Sequence, residues 1–165
     1  VILVALAAAG RPALHAQDPD LLEVDVTVRG IARLYGADIS LRYDPEQVSL
    51  VDSMSGRPGT QILAGRGWGP APFVLFNEAD VAAGTVHFAA LLMAPAAALE
   101  GDVVIATLRF APRRLEPEDA WALTAVELVD RRGQLLEADW EVLEIHPRID
   151  WPRMRAWSFL PRLDG

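Results

Sequence analysis

From Leu21 onward, apolar and polar residues alternate. Leu22, Val24, Val26 and Val28 fall on one side and Glu23, Asp25, Thr27 and Arg29 on the other, until Gly30 interrupts. A period of two sends successive side chains to opposite faces of an extended chain, so this run predicts a strand with one buried face. A second run sets Ala37, Ile39, Leu41 and Tyr43 against Asp38, Ser40 and Arg42, and Asp44-Pro45 closes it in a turn. Residues 48–53 read as a short third strand. Residues 55–72 carry five Gly and three Pro, too many for a regular element, and read as a long loop with Trp68 near its tip. Strands follow at 73–77 and 85–93 around a 78–84 connection. After a loop or single helical turn at 94–99 come a strand at 103–110, an acidic Pro-bearing loop at 112–119 and a strand at 121–129. Arg131-Arg132-Gly133 reads as a tight turn that returns the chain through residues 134–145. Eight to nine strands, with no segment of helical period after the N-terminus, predict an all-β antiparallel sandwich.

The two ends lack this alternation. Residues 1–10 are an unbroken apolar and small-residue run, and Ala13-Leu14-His15-Ala16 before Gln17-Asp18 resembles a cleavage site. On that pattern residues 1–16 are the remnant of a signal peptide and the mature domain is secreted or held at a cell surface. The competing reading makes residues 14–17 a first edge strand. Ten apolar residues are too few to span a bilayer, so no stable membrane insertion is expected. The sandwich proper is then 17–146. Residues 147–165 combine three Pro, three aromatics and four Arg, and read as a linker or as a strap lying on the body.

Composition narrows the chemistry. With 165 residues the chain is sized for one domain, and 52% hydrophobic residues supply a core. All fifteen basic residues are Arg, which removes lysine Schiff bases and phosphate-loop lysines, and the absence of Cys removes thiol nucleophiles and thiolate metal ligation. A net charge of −8 argues against nucleic acid as a partner, including for the Arg and aromatic residues of the tail. His15, His87 and His146 have no second ligand at metal-binding spacing, and no nucleophile elbow or dinucleotide fingerprint occurs. Neither a metal site, a cofactor nor an enzyme is indicated. Glu116, Glu118 and Asp119 read as solubilising charge in their loop.

The stretch Leu34-Tyr35-Gly36-Ala37-Asp38-Ile39-Ser40-Leu41-Arg42-Tyr43-Asp44-Pro45, followed by Val48 and Leu50, resembles the third strand and turn of the cohesin family. Gly84-Thr85-Val86-His87-Phe88-Ala89-Ala90 is similar to that family's central strand, Ile105-Ala106-Thr107-Leu108-Arg109-Phe110 to another, and Val126-Glu127-Leu128-Val129-Asp130 with Gly133 to its penultimate hairpin. These pieces occur in the order the family requires and cover most of the chain. The resemblance implies a nine-stranded jelly-roll sandwich and a non-catalytic module that binds a dockerin-like protein through one sheet face. It also implies that Asp38 occupies the place of an acidic residue that hydrogen-bonds the dockerin helix. Gly36 departs from the pattern, standing where a polar Asn is found.

The residues themselves place Asp38, Ser40 and Arg42 on the side of their strand away from the core, and Thr85, His87 and Ala89 extend that face if Val86, Phe88 and Ala90 point inward. Polar faces of this kind are common in antiparallel sheets and are often merely solvated. Trp68 has two readings. It stacks on a polysaccharide as the platform of a carbohydrate-binding module, or it folds back to cap the core. A purely structural surface domain is the third alternative.

Overall fold

The structure, a computed structural model, describes residues 21–69, 72–114 and 120–137 in full and 143–148 as backbone. The proposed leader or edge strand at 1–17, the acidic residues Glu116, Glu118 and Asp119, and the tail beyond 148 lie outside the described residues.

Among the described residues nine strands run in the order β1 (Leu22–Leu34), β2 (Gly36–Tyr43), β3 (Val48–Leu50), β4 (Leu63–Ala64), β5 (Phe73–Asp80), β6 (Thr85–Leu91), β7 (Leu99–Pro112), β8 (Trp121–Val129) and β9 (Leu143–Arg148). They form two antiparallel sheets. One has the order β3-β7-β1-β9, with β4 also pairing β7, and the other has the order β5-β6-β2-β8. The alternation read from the sequence explains why two sheets must stack. Val24, Val26 and Val28 of β1 and Ile39, Leu41, Val86 and Phe88 of β2 and β6 are buried, and they share one core with Leu108 and Phe110 of β7. Each sheet hides its apolar face against the other.

The turn after β2 forms as its residues predict. Tyr43 points inward, 5.2 Å from the Phe110 ring edge-on, and Phe110 stacks on Trp121. The Asp44 carboxylate accepts the backbone N–H of Glu46 at 2.9 Å and the Gln47 side-chain amide at 2.8 Å, an Asx turn reinforced by a neighbour. These two donors, the Gln47 amide first, hold the Asp44 carboxyl below its ordinary pKa.

The structure departs from the sequence reading in several places, among them β7, which already starts at Leu99 and runs to Pro112, and β9, which starts only at Leu143 and pairs β1 of the other sheet. β1 continues through Gly30 to Leu34, because register shifts after Val26 and Val28 absorb the interruption while pairing with β7 resumes. The loop at 55–72 is not wholly irregular. It contains β4 and a 3-10 turn over Arg66–Trp68. Trp68 is buried at 3% exposure and its Nε1–H donates to the Ile105 carbonyl at 2.8 Å. Of the two readings of this residue, the core cap is what forms, and the carbohydrate platform expected of an exposed Trp68 is corrected by that burial. Finally, β5 runs on to Asp80 and β9 on to Arg148, past the ends anticipated for them.

Asp25 is the residue on the outer side of β1 that behaves least like a solvated charge. It is 4% exposed, accepts the Thr107 hydroxyl at 2.7 Å and pairs with the Arg66 guanidinium at 3.2 Å. The Gly-rich loop thus folds an Arg over the sheet, satisfying a carboxylate that burial would otherwise make costly.

Candidate functional site

The outer face of the β5-β6-β2-β8 sheet gathers the residues singled out from the sequence. Strand register sets the face in rows. At one end Asp80, Thr85, Arg42 and Ala122 lie side by side across the four strands. Next come Glu78, His87, Ser40 and Ala125. Phe76, Ala89, Asp38 and Glu127 form the third row. Phe73, Leu91, Gly36 and Val129 form the fourth, which has no polar side chain.

Inward and outward sets follow the alternation except at Ala89, which lies between Asp38 and Phe76 in the third row and is buried at 2% exposure. Val86, Phe88 and Ala90 are buried, whereas Asp38, Ser40, Thr85 and His87 are half-buried and Arg42 is exposed. Ser40, Arg42, Thr85 and His87 line one open groove of about 510 Å3, with Glu78, Asp80 and Thr124 on its other walls. Asp38 adjoins it through His87. The His87 Nε2 and Asp38 Oδ1 atoms are hydrogen-bonded at 2.8 Å. One ring face of His87 is covered by Phe76, stacked at 4.8 Å between centroids and 21° between planes. The imidazole is therefore held between a carboxylate on β2 and an aromatic ring on β5. This fixes its orientation without burying it.

Around this polar centre lies apolar surface that the sequence reading did not single out. Phe73, Leu75 and Phe76 on β5 are each about half exposed, and Met93 just after β6 is 57% exposed. The signal was in the sequence. Residues 73–76 are a continuous apolar run, and on an edge strand such a run has one side chain in two facing away from the core. A β-bulge between Val74 and Phe76 adds Leu75 to the exposed set.

The edge beside these rings is closed by a side chain. Asn77 points toward the other sheet, where its Oδ1 accepts the Ile62 N–H at 2.9 Å and its Nδ2 donates to the Ile62 carbonyl at 2.8 Å. The amide acts as one residue of strand for the segment before β4, so β5 is tied to the opposite sheet while its outer rings stay free.

Gly36, the departure noted above, has a local cause. A Cβ at this position would lie 2.8 Å from Val129 Cγ2 and 3.4 Å from Leu91 Cβ. The neighbours on β8 and β6 already cover the space, which makes the fourth row apolar.

Among the described residues, the four rows hold the carboxylates of Asp38, Glu78, Asp80 and Glu127 and the guanidinium of Arg42. Asp80 is partly engaged, accepting the N–H groups of Ala82 and Ala83 in the β5–β6 turn at 3.0 and 2.9 Å. Burial, followed by the Asp80 carboxylate, pushes the Tyr43 phenol above its ordinary pKa. Among the described residues no group of three or more His, Asp or Glu is placed to hold a metal ion, and no helix is long and apolar enough to cross a membrane.

No protein-family model matches the chain, and no curated protein matches it. Solved structures do. The chain is similar to the type II cohesin dyad of the adaptor ScaA scaffoldin of Acetivibrio cellulolyticus, with a TM-score of 0.60 and 16% identity over 78% of this chain and 43% of that one. It thus spans less than half of that two-module chain. It is also similar to a single type II cohesin domain from the cellulosome of the same organism, with a TM-score of 0.59 and 15% identity over 84% of this chain and 90% of that domain. A third is the type II cohesin–X-dockerin complex of that organism, at a TM-score of 0.56 and 13% identity over 75% and 86% of the two chains. At these identities the likeness concerns the fold, which is that of a cohesin β-sandwich.

Proposed function

We propose that this chain is a non-catalytic recognition module that docks a dockerin-like protein on the outer face of the β5-β6-β2-β8 sheet, within an exported assembly. The observation that carries the reading is the pairing of exposed rings with a fixed polar centre. Phe73 and Phe76 are about half exposed beside an Asp38–His87 pair held at 2.8 Å. Exposed apolar patches rimmed by polar groups mark protein contacts more often than solvated surface. A cohesin fold, one of whose similar structures is a cohesin–X-dockerin complex, agrees with that use of the face.

In this reading the rings and the apolar fourth row supply most of the free energy by leaving water, as buried aromatic anchors do in protein interfaces. Asp38, Ser40, Arg42, Thr85 and His87 give orientation, because a partner that leaves them unpaired loses more than it gains. Direct polysaccharide binding through Trp68 has lost its platform.

Calorimetric titration with a panel of purified dockerin modules tests the proposal. At least one is expected to bind, and Asp38→Ala and Phe76→Ala are each expected to weaken it about tenfold or more, the range of a well-packed interface contact. Both variants keep the inward set intact and should retain the wild-type far-UV spectrum. Folded variants that bind as tightly as wild type, or a panel that gives no heat with wild type, would sink the docking assignment.

A further inference from the structure

β5 ends its sheet, paired among the described strands with β6 alone. The β2–β6 ladder runs without a register shift between two backbone bonds, Tyr43 N–H to the Gly84 carbonyl and Leu92 N–H to the Tyr35 carbonyl, both 2.8 Å. Main-chain groups alternate between the two edges of a strand. Val86, Phe88 and Ala90 therefore turn theirs to β2, and Thr85, His87, Ala89 and Leu91 turn theirs to β5, where they meet Asp80, Glu78, Phe76 and Phe73. The N–H and C=O groups of Val74, Asn77 and Ala79 consequently point out of the sheet, and among the described residues no backbone hydrogen bond reaches them. The Asn77 clasp closes the gap between the sheets with a side chain and leaves this main chain unused. Beside it lies an open groove of about 440 Å3, with residues 57–61 as one wall and residues 74–79 as the other. Val74 and Ala79, which line it, are half-buried and pack against the core.

We propose that this groove is a second recognition site, which takes an extended segment of another protein as an added strand on β5, held by its main chain and with small apolar side chains turned into the groove. The site lies at the edge of the sheet and stands whether or not the outer face docks a partner. Unpaired N–H and C=O groups along a strand edge are matched by another extended backbone, whereas a helix has already used its own. The run from Val74 to Ala79 spans about 17 Å at ~3.3 Å per residue, the reach of a peptide of about five or six residues. The second wall selects a slender occupant, because a second copy joining β5 to β5 would drive residues 57–61 of the two protomers together. The chain itself leaves β9 on the opposite side of the sandwich. β9 flanks β1, whereas β5 is clasped to the residue before β4, which pairs with the edge of β7 away from β1.

The test uses the full, isotopically labelled chain and a blocked hexapeptide of alternating Val and Thr, followed by NMR. In the free chain the amides of Val74, Asn77 and Ala79 are expected to exchange with solvent at least tenfold faster than those of Glu78 and Asp80, which face β6. The peptide is expected to shift residues 57–61 and 73–80 and to slow exchange at the three edge amides. Two analogues, N-methylated on one or the other alternate set of residues, keep every side chain, and one of them alone keeps its N–H groups toward β5. Their Kd values should differ at least tenfold. Ala79→Pro removes a donor that faces away from the ladder, and should weaken the peptide at least fivefold with protection of Glu78 and Asp80 unchanged. Where that variant fails to fold, the methylated pair decides alone. Equal Kd values for the two analogues, or a peptide that shifts nothing at 57–61 and 73–80, overturn the inference. Protected edge amides in the free chain also overturn it. Protection that fades on dilution identifies a second copy, and protection lost on removing residues 1–20 or 149–165 identifies a segment of the chain itself.

Discussion

Trp68→Ala measures how far the Gly-rich loop belongs to the core. The indole is 3% exposed and packs with the buried cluster of both sheets. An aromatic side chain of this kind takes ~150–250 Å2 out of water, which at about 25 cal/mol per Å2 is an upper transfer value of roughly 4–6 kcal/mol. Measured truncations of buried aromatics cost about 3–5 kcal/mol. The hydrogen bond adds little to this. Ile105 O accepts the Gly65 N–H at 3.0 Å as well as the indole N–H, so losing Trp68 leaves the carbonyl with a partner. The direct loss is then about 1 kcal/mol. Trp68→Phe, which keeps a six-membered ring in place, should therefore cost about 1–2 kcal/mol in all. With a urea m-value of ~2 kcal/mol per M, the midpoint followed by far-UV circular dichroism should fall by about 1.5–2.5 M for Ala and by under about 1 M for Phe. An Ala midpoint within about 0.3 M of wild type would refute the burial argument. Equal losses for Ala and Phe would refute the division between packing and hydrogen bond.

Asn77→Ala removes both amide bonds to Ile62, a residue only 1% exposed, and strands its N–H and carbonyl. A loss of about 2–3 kcal/mol is expected in the same urea assay, and a change below about 0.5 kcal/mol would show that the clasp does not hold β5 to the opposite sheet. Asp130 is set up for an acid-sensitive contribution. The N–H of Gln134, then that of Arg132, hold its carboxyl below the ordinary value of 3.8, with Arg33 adding charge. A depressed carboxylate stabilises the fold fully above its unfolded pKa and loses that contribution as pH falls through the folded one. Stability is thus expected to fall below about pH 4, and less steeply in Asp130→Asn, as read by thermal melts from pH 6 to pH 2.5. Parallel acid limbs for the two proteins would remove Asp130 from the account. If the domain is exported as its apolar N-terminus predicts, mass spectrometry of the secreted protein should find Gln17 as its first residue, and an intact residue 1–16 segment would count against the leader.

The inner half of this fold was legible because the pleat is strict. Val24, Val26, Val28, Ile39 and Leu41 face inward by alternation alone, the condition placed on Val86 and Phe88 holds, and every one is buried. The site residues on β2 and β6 followed by parity, since a residue between two buried ones faces outward. What escaped were interactions set by pairing across the molecule. The approach of His87 to Asp38 needs β2 beside β6, and the cover of Arg66 over Asp25 needs a loop to cross β7. Neither is a local property of its segment. Trp68 shows the same limit from the other side, because Gly and Pro content announced irregular backbone but not where that backbone would lie.

The outward half raises a different problem, since parity says which residues face away from the core and not whether anything meets them. On β2 the outward set is polar at Asp38, Ser40 and Arg42 and so looks like ordinary solvated surface. Its partners on the neighbouring strands change its character. Phe76 stacks on His87, and Val129 and Leu91 crowd Gly36 until no Cβ fits without displacement. A polar residue at position 36 would have to move Val129 to enter, and would interrupt the apolar row formed with Phe73. The loss of a polar side chain at that point is thus coupled to the gain of apolar surface around it. A partner suited to this face must bring aliphatic atoms to that end in place of a hydrogen-bonding group, and a partner that relies on a polar contact there would leave its own group unpaired against Val129 and Leu91.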